Sequence, residues 1–410
     1  MSNLIELTKL PDGWFKDKED PTKLKPSPLP QGLWIQALKT VGTKLRFNLV
    51  TLKPELNGVP FQPDDIDTFY CLLADKGYKI SKEQCKDAVI FAARQNCYNP
   101  IEEELLRIEN NNNIEPVDID KLATEYLGTS SELDDAKLAA CMIGAIARGL
   151  DHGCQMDYVL CLKGKQGLKK SEFWRTITGE EYFAETQQKD LKDLRMTMNC
   201  CWIYEYPEIE QLTSKKDVGA IKALITQRKD QFRPPFGSSV GIYPRKSILV
   251  GSLNEDEFLK DRTGNRRFWV IELPYDPDLG EQLDIPKLKR DRDRILKAAI
   301  LAYRSGRLPM LTLEQEVQSK KQNLNYESEH PFQSAVEQTV RKWQNSKFST
   351  KSILIDSELR TEATITQKDM NDVAAILRGL GYVRDKNQTT NSITKERSRL
   401  WSLAQNTHSG

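Results

Sequence analysis

The chain has 410 residues, 29% of them charged, and a formal net charge of +1. That length allows two or three domains with a sizeable core. The balanced charge excludes a wholly basic nucleic-acid coat and leaves room for local basic patches. No apolar stretch is long enough to span a bilayer and the first residues lack a signal-peptide pattern, so a cytoplasmic protein without membrane attachment is expected. The eight cysteines show no zinc spacing and the chain has three histidines, so reduced, buried thiols are expected rather than a metal site.

Residues 1–32 are rich in Lys, Asp and Pro and read as an extended arm. From Leu33 to about 130 the chain mixes a strand signal (Leu45–Val50) with helical patterns over 64–76 and 81–95, and is expected as a mainly helical lead-in and oligomerisation domain. Ser81 with Gln84 forms a capping box for the second helix. The run Glu109–Asn113 reads as a loop, and 130–150 as an alanine-rich apolar helix. Strand candidates at 158–162, 200–204, 247–252 and 267–272 then alternate with helices. That alternation predicts an α/β core over 131–312 with a mostly parallel sheet. A helix over 291–305 follows, then a linker over 313–330. Residues 331–403 read as three helices and a short hairpin, the pattern of a winged helix, before a disordered tail at 404–410.

The chemistry concentrates at the ends of these strands. Gly164-Lys-Gln166-Gly167-Leu-Lys169-Lys170-Ser171 follows an apolar strand and precedes a helix. A phosphate-binding loop asks for a glycine, four free positions, then Gly-Lys-Ser or Gly-Lys-Thr. Here Lys169 stands where the last glycine belongs. With Gly164 and Gly167 free to make the tight turn, Lys169 is expected in an ordinary backbone conformation. Its side chain would then add a second cation near the phosphates or point to solvent.

Cys200–Tyr204 leads into Glu205 and Glu208, carboxylates that would hold Mg²⁺ and orient a water. They would equally serve to solvate a strand end. Ser247–Leu253 ends in Asn254, either a γ-phosphate contact or a turn asparagine. Arg266 and Arg267 follow a Gly-Asn turn, as a surface cation pair or as arginines reaching a neighbour's nucleotide. Gln231-Phe-Arg233-Pro-Pro-Phe-Gly237 and Arg245 supply basic, aromatic loops suited to a nucleic-acid channel or to packing.

The ordered series Gly164…Lys170-Ser171, Glu205…Glu208, Arg233-Pro-Pro-Phe-Gly237, Asn254 and Asp261-Arg-Thr-Gly-Asn-Arg-Arg-Phe-Trp269 resembles the virulence-associated E family. That family comprises P-loop ATPases of mobile elements, related to superfamily 3 helicases. The resemblance runs from about Leu45 to Leu273 and includes Phe91-Ala-Ala-Arg-Gln-Asn-Cys-Tyr-Asn-Pro100, which looks like the family's lead-in domain. It implies an AAA+-like core, ring assembly as a homo-hexamer, and ATP-driven motion on DNA. By position, Lys170 would contact the β- and γ-phosphates, with Gly164, Gln166, Gly167 and Lys169 in the loop. Ser171 and Glu205 would hold Mg²⁺, Glu205 and Glu208 would be the acidic pair, Asn254 the sensor, and Arg266 or Arg267 the trans-acting finger.

Basic residues Lys351, Arg378, Arg384, Lys386 and Arg397 cluster around the expected winged helix. They suit duplex phosphates, while protein contacts are the alternative. No Asp-x-Asp motif upstream of the core sits in a convincing strand context, so a primase would be a separate partner. Two functions stand: an ATP-dependent DNA helicase or replication initiator, and a non-motor DNA-binding protein with a decayed ATPase core.

Overall fold

The computed structural model describes residues 14–28, 45–62, 64–65, 70–71, 74–75, 77–79, 81–185, 191–209, 215–234, 237, 239–254, 265–326, 331–343, 347–385, 387–390 and 397–403. Most of the helix expected over 64–76, the Asp261–Gly264 turn, Lys386 and the tail lie outside them. The chain divides into two compact units between Glu327 and Ser328.

The first unit starts with β1 (Trp14–Lys16) and β2 (Leu24–Pro28), an antiparallel pair within the segment expected as a plain arm. Strands β3 (Leu45–Asn48), β4 (Lys53–Leu56) and β5 (Val59–Pro60) form a meander, and β6 (Tyr78–Lys79) pairs with β2. Helix α1 (Lys82–Arg94) carries the expected Ser81–Gln84 capping box. Its Val89 and Ala93 pack with Phe47 and Leu56 in a small core. Strand β7 (Cys97–Tyr98) joins β3 in parallel.

Helix α2 (Pro100–Asn110) begins where Asn99 Oδ1 accepts from the amides of Ile101 (3.1 Å) and Glu102 (3.4 Å). Proline at the first helical position costs nothing there, because that amide would have no partner. The helix therefore runs into the expected Glu109–Asn113 loop. Helices α3 (Leu122–Leu127) and α4 (Glu132–Leu150) follow. Nearly all of α4 is buried, and Ser131 caps it. Side chains of α2, α3 and α4 share one core with the central sheet, so no compact-unit boundary falls near residue 130.

That sheet is built from β8 (Val159–Lys163), β9 (Phe183–Glu185), β10 (Ile203–Tyr206), β13 (Ile248–Leu253) and β14 (Phe268–Glu272). Helices α5 (Lys170–Thr178), α6 (Leu191–Asn199) and α7 (Lys215–Thr226) connect the first of them. A hairpin of β11 (Lys229–Phe232) and β12 (Gly241–Pro244) interrupts the alternation. All five sheet strands are parallel, in the order β14-β8-β13-β10-β9. Both β8 and β13 are buried at every position, as parallel strands covered on two faces must be.

Helix α8 (Ile285–Arg304) packs on α2, α4 and α5. Helix α9 (Leu313–Asn323) occupies most of the expected linker. Asn323 Nδ2 donates to the carbonyls of Asn265 and Phe268, both at 2.9 Å, which ties α9 to the entry of β14. Asn323 thereby satisfies two backbone carbonyls, and the segment up to Glu327 belongs to the first unit.

The second unit holds α10 (Gln333–Lys342), α11 (Thr350–Asp356) and α12 (Gln367–Gly379). Strand β15 (Tyr382–Arg384) pairs antiparallel with β18 (Trp401–Leu403), and β16 (Thr389–Thr390) with β17 (Arg397–Ser398). Trp401 is fully buried, and its indole donates to Thr350 Oγ1 at 2.9 Å.

Candidate functional site

Strand β8 delivers the chain into the Gly164–Lys169 loop at the C-terminal end of the sheet, and α5 leaves from it. In open α/β sheets ligands sit outside the C-terminal strand ends. Lys170, the first residue of α5, is buried and curls back over the loop. Its ammonium donates to the Gly164 carbonyl, to the Lys165 carbonyl at 3.1 Å and to Asn254 Oδ1 at 2.7 Å. All three are neutral oxygens. Asn254 itself follows β13, the neighbour of β8. The sequence-expected loop lysine and asparagine therefore meet.

Glu205 lies one strand further, in β10, opposite Val250 of β13. It is fully buried, and among the described residues neither carboxylate oxygen has a hydrogen bond of ordinary geometry. Burial pushes its pKa up to about 7. The hydroxyls of Ser171 and Ser252 lie near enough to pull it down, Glu185 pushes it up, and Lys170 pulls it down. Burial and Glu185 outweigh Lys170, so the group is short of positive charge. A metal held beside Ser171 would supply it, so these residues fit Mg²⁺ delivered with a nucleotide. Glu208 sits in the turn after β10, at φ +48°.

The backbone overturns one expectation. Lys169 is not in an ordinary conformation: its φ is +62° and ψ +33°, in the left-handed region. Gly167 also has positive φ, at +96°. The loop thus needs its left-handed residue where phosphate loops carry glycine, and here a lysine bears the strain. A left-handed non-glycine residue costs about 1–2 kcal/mol. Glycine returns some of that through the unfolded chain, about 0.4–1 kcal/mol. Lys169→Gly is expected to stabilise the protein by about 0.5 kcal/mol net, and to leave nucleotide affinity unchanged or tighter. Thermal melting and nucleotide titration check both; collapse of binding would make the exposed Lys169 side chain a ligand.

A contact the sequence did not reveal covers the loop. Lys165 Nζ reaches Asp276 at 2.8 Å and Asp278 at 2.9 Å. A Cβ on Gly167 would lie 3.8 Å from Pro277. The Asp276-Pro-Asp278 turn follows β14, and its turn chemistry was the only available signal. Lys163, at the end of β8, pairs with Glu272 at 2.8 Å. Gln166 is exposed on the loop.

Arg266 and Arg267 precede β14, and Phe268 pairs with Val159 at the start of β8. Both arginines therefore stand at the opposite end of the sheet from the loop, roughly 16 Å away for five residues of strand. They are not brought to the site of their own chain.

The basic residues divide. Arg233 is exposed at the start of the hairpin loop, its Nε donating to the Gly237 carbonyl at 2.7 Å. Arg245, expected to face DNA, does not. It is 2% exposed, and Asp230, fully buried, takes its Nε at 3.0 Å and its terminal nitrogen at 2.5 Å. Burial of a guanidinium demands such a partner, so Arg245 ties the foot of the hairpin to α7, whose Leu224 carbonyl it also meets. In the second unit Arg378 and Arg384 are exposed, each guanidinium 5.7 Å from the Trp401 ring centre. Arg397 is exposed on β17, and Lys351 pairs with Glu362 at 2.6 Å.

Fold and site together define a mixed α/β protein organised on a parallel sheet. Residues 108–329, more than half of the chain, match the virulence-associated protein E-like domain. The chain belongs to that family. Among solved structures, the A form of the apo NrS-1 C-terminal region (305–718) is similar over 91% of this chain and 99% of that one, at 12% identity and a TM-score of 0.46. A second apo structure of the region matches over the same shares at 12% identity and 0.45. No curated protein sequence matches. Among the described residues no helix is long and apolar enough to cross a membrane.

Proposed function

We propose that the protein is a Mg²⁺-dependent ATPase that drives DNA replication of a mobile genetic element, as a helicase or replication initiator assembled into a homo-hexameric ring. The observation that carries this reading is the convergence of Lys170, Asn254 and the buried Glu205 at the loop end of the sheet. The parallel sheet, with β8 between β13 and β14, supports the AAA+-like core implied by the family resemblance.

Bound MgATP supplies the phosphoryl group and the metal that neutralises its charge. Lys170 exchanges neutral loop oxygens for phosphate oxygens, a charge-assisted gain. The amides at the start of α5 add the favourable end of its dipole. Ser171 and Glu205 would hold the metal, and ionisation of Glu205 would follow from the added cation. Glu208 and Asn254 would position the attacking water. Arg266 or Arg267, remote from their own loop, would complete the site of a neighbouring copy. A cycle that changes this contact would move Arg233 and the hairpin along a DNA strand.

Three helices followed by an antiparallel pair support a winged helix in the second unit, with Arg378, Arg384 and Arg397 facing duplex phosphates. Strand separation on a forked duplex tests the reading. Unwinding is expected only with ATP and Mg²⁺; unwinding that is absent under all conditions removes the helicase activity. The strained Lys169 favours a second reading, a DNA-binding protein with a decayed ATPase core. DNA binding and element replication untouched by Lys170→Ala would select it.

A further inference from the structure

The lead-in residues and the hairpin enclose a cavity of about 480 Å³ that the nucleotide site does not use. Phe47, Leu49, Leu52 and Tyr243 line it with apolar surface, two of them aromatic. Arg94 and Lys246 add two cations, and among the described residues no carboxylate lines it. Arg94 lies over the aromatic wall, its guanidinium 5.2 Å from the Phe47 ring centre. Lys246 is buried and donates to the Leu49 carbonyl; burial pushes its pKa down to about 8. A nearby anion would relieve that cost. Burial lowers the pKa of His152, which also lines the cavity, and its Nε2 meets Asn99 Nδ2 at 3.0 Å.

An apolar slot edged by two cations and no acid suits a flat group that carries negative charge. Nucleotides have that chemistry, since bases stack on aromatic faces and phosphates seek Lys and Arg. The volume lies within the range of small-ligand sites. Pro234 lines the cavity, and the residue before it is the exposed Arg233 of the hairpin loop. A strand held at that loop has the slot beside it.

We infer that this cavity takes one unstacked nucleobase, with its phosphate held by Arg94 and Lys246, from the single strand that passes Arg233. The inference rests on the DNA-acting reading for its source of nucleotide, and on the cavity alone for its chemistry. An unstacked base inserted beside the hairpin would act as a pawl, holding the strand between steps.

Binding of a short labelled oligodeoxythymidylate to the full chain, at fixed salt, tests it. Leu49 lines the cavity and is 36% exposed, which leaves room for a larger side chain, and Leu49→Trp is designed to fill the slot. The expected result is an affinity loss of about ten-fold for Leu49→Trp and for Arg94→Ser, with DNA-independent ATP hydrolysis unchanged. The wild type should also prefer the oligonucleotide over its abasic counterpart by about ten-fold, and Leu49→Trp should lose that preference. Saturable dTMP binding abolished by Leu49→Trp, with strand affinity unaltered, would assign the same chemistry to a free nucleotide. Equal binding of strand, abasic strand and dTMP by wild type and Leu49→Trp overturns the inference and leaves the ATPase reading standing. Absence of any strand binding by the wild type removes the DNA reading, and dTMP titration then decides the cavity by itself. Thermal melting of both variants separates lost binding from lost folding.

Discussion

Lys170→Ala is expected to lower ATP hydrolysis by roughly 10²–10³-fold, the usual loss when one donor to a developing charge is removed. The ammonium is already inside the loop, against Gly164, Lys165 and Asn254. No rearrangement beyond a change of partner is needed for it to meet phosphate. Alanine leaves loop carbonyls that water can reach, since Gly164 is only half-buried and Lys165 exposed. Stability should therefore change little, and equilibrium nucleotide titration should show the loss directly. Wild-type affinity in this variant would detach the loop from nucleotide binding.

The second large effect belongs to Glu205. Its folded pKa, about 7, lies above the ordinary 4.5 because burial disfavours the charged form. The folded state thus holds this proton more tightly than the unfolded chain does. Below the ordinary value the group is protonated in both states and costs nothing. As pH rises towards 7 the unfolded chain ionises first, and folding loses stability. Above 7 the full cost persists, about 3 kcal/mol. Glu205→Gln removes it. Chemical denaturation should show the variant more stable by about 3 kcal/mol at pH 8 and by under about 1 kcal/mol at pH 5. The same variant should hydrolyse ATP poorly, because glutamine cannot supply charge to a metal. An equal stability gap at both pH values would mean that the carboxyl is not held in its protonated form. The site accepts instability in exchange for a carboxylate that a cation can recruit, a common arrangement at functional sites.

The central sheet was readable because buried parallel strands are continuous apolar runs. Tyr158–Leu162 and Ser247–Ser252 lie within a residue of β8 and β13. Three-residue β9 carries no such run. Hairpin strand β11 was hidden for a different reason. Its inward residues are Asp230 and Phe232, and a buried aspartate disguises an alternating strand. The same ion pair explains the misplacement of Arg245, since a lone arginine in a sequence reads as surface until its buried partner is known. Helix α2 was masked by its asparagine-rich end, although Asn99-Pro100 is a strong start signal. At the site, residue types and order pointed to one loop, but the left-handed turn at Lys169 depends on backbone geometry that two nearby glycines obscured. The distance between the arginine pair and the loop depends on strand register, which composition does not encode.

The most direct measurement is ATP hydrolysis with Mg²⁺ by the full chain and by Lys170→Ala, each with and without single-stranded DNA. The account predicts hydrolysis by the wild type that DNA accelerates, and roughly 10²–10³-fold less in the variant. No hydrolysis by the wild type with DNA and Mg²⁺, or equal rates in both proteins, would contradict it.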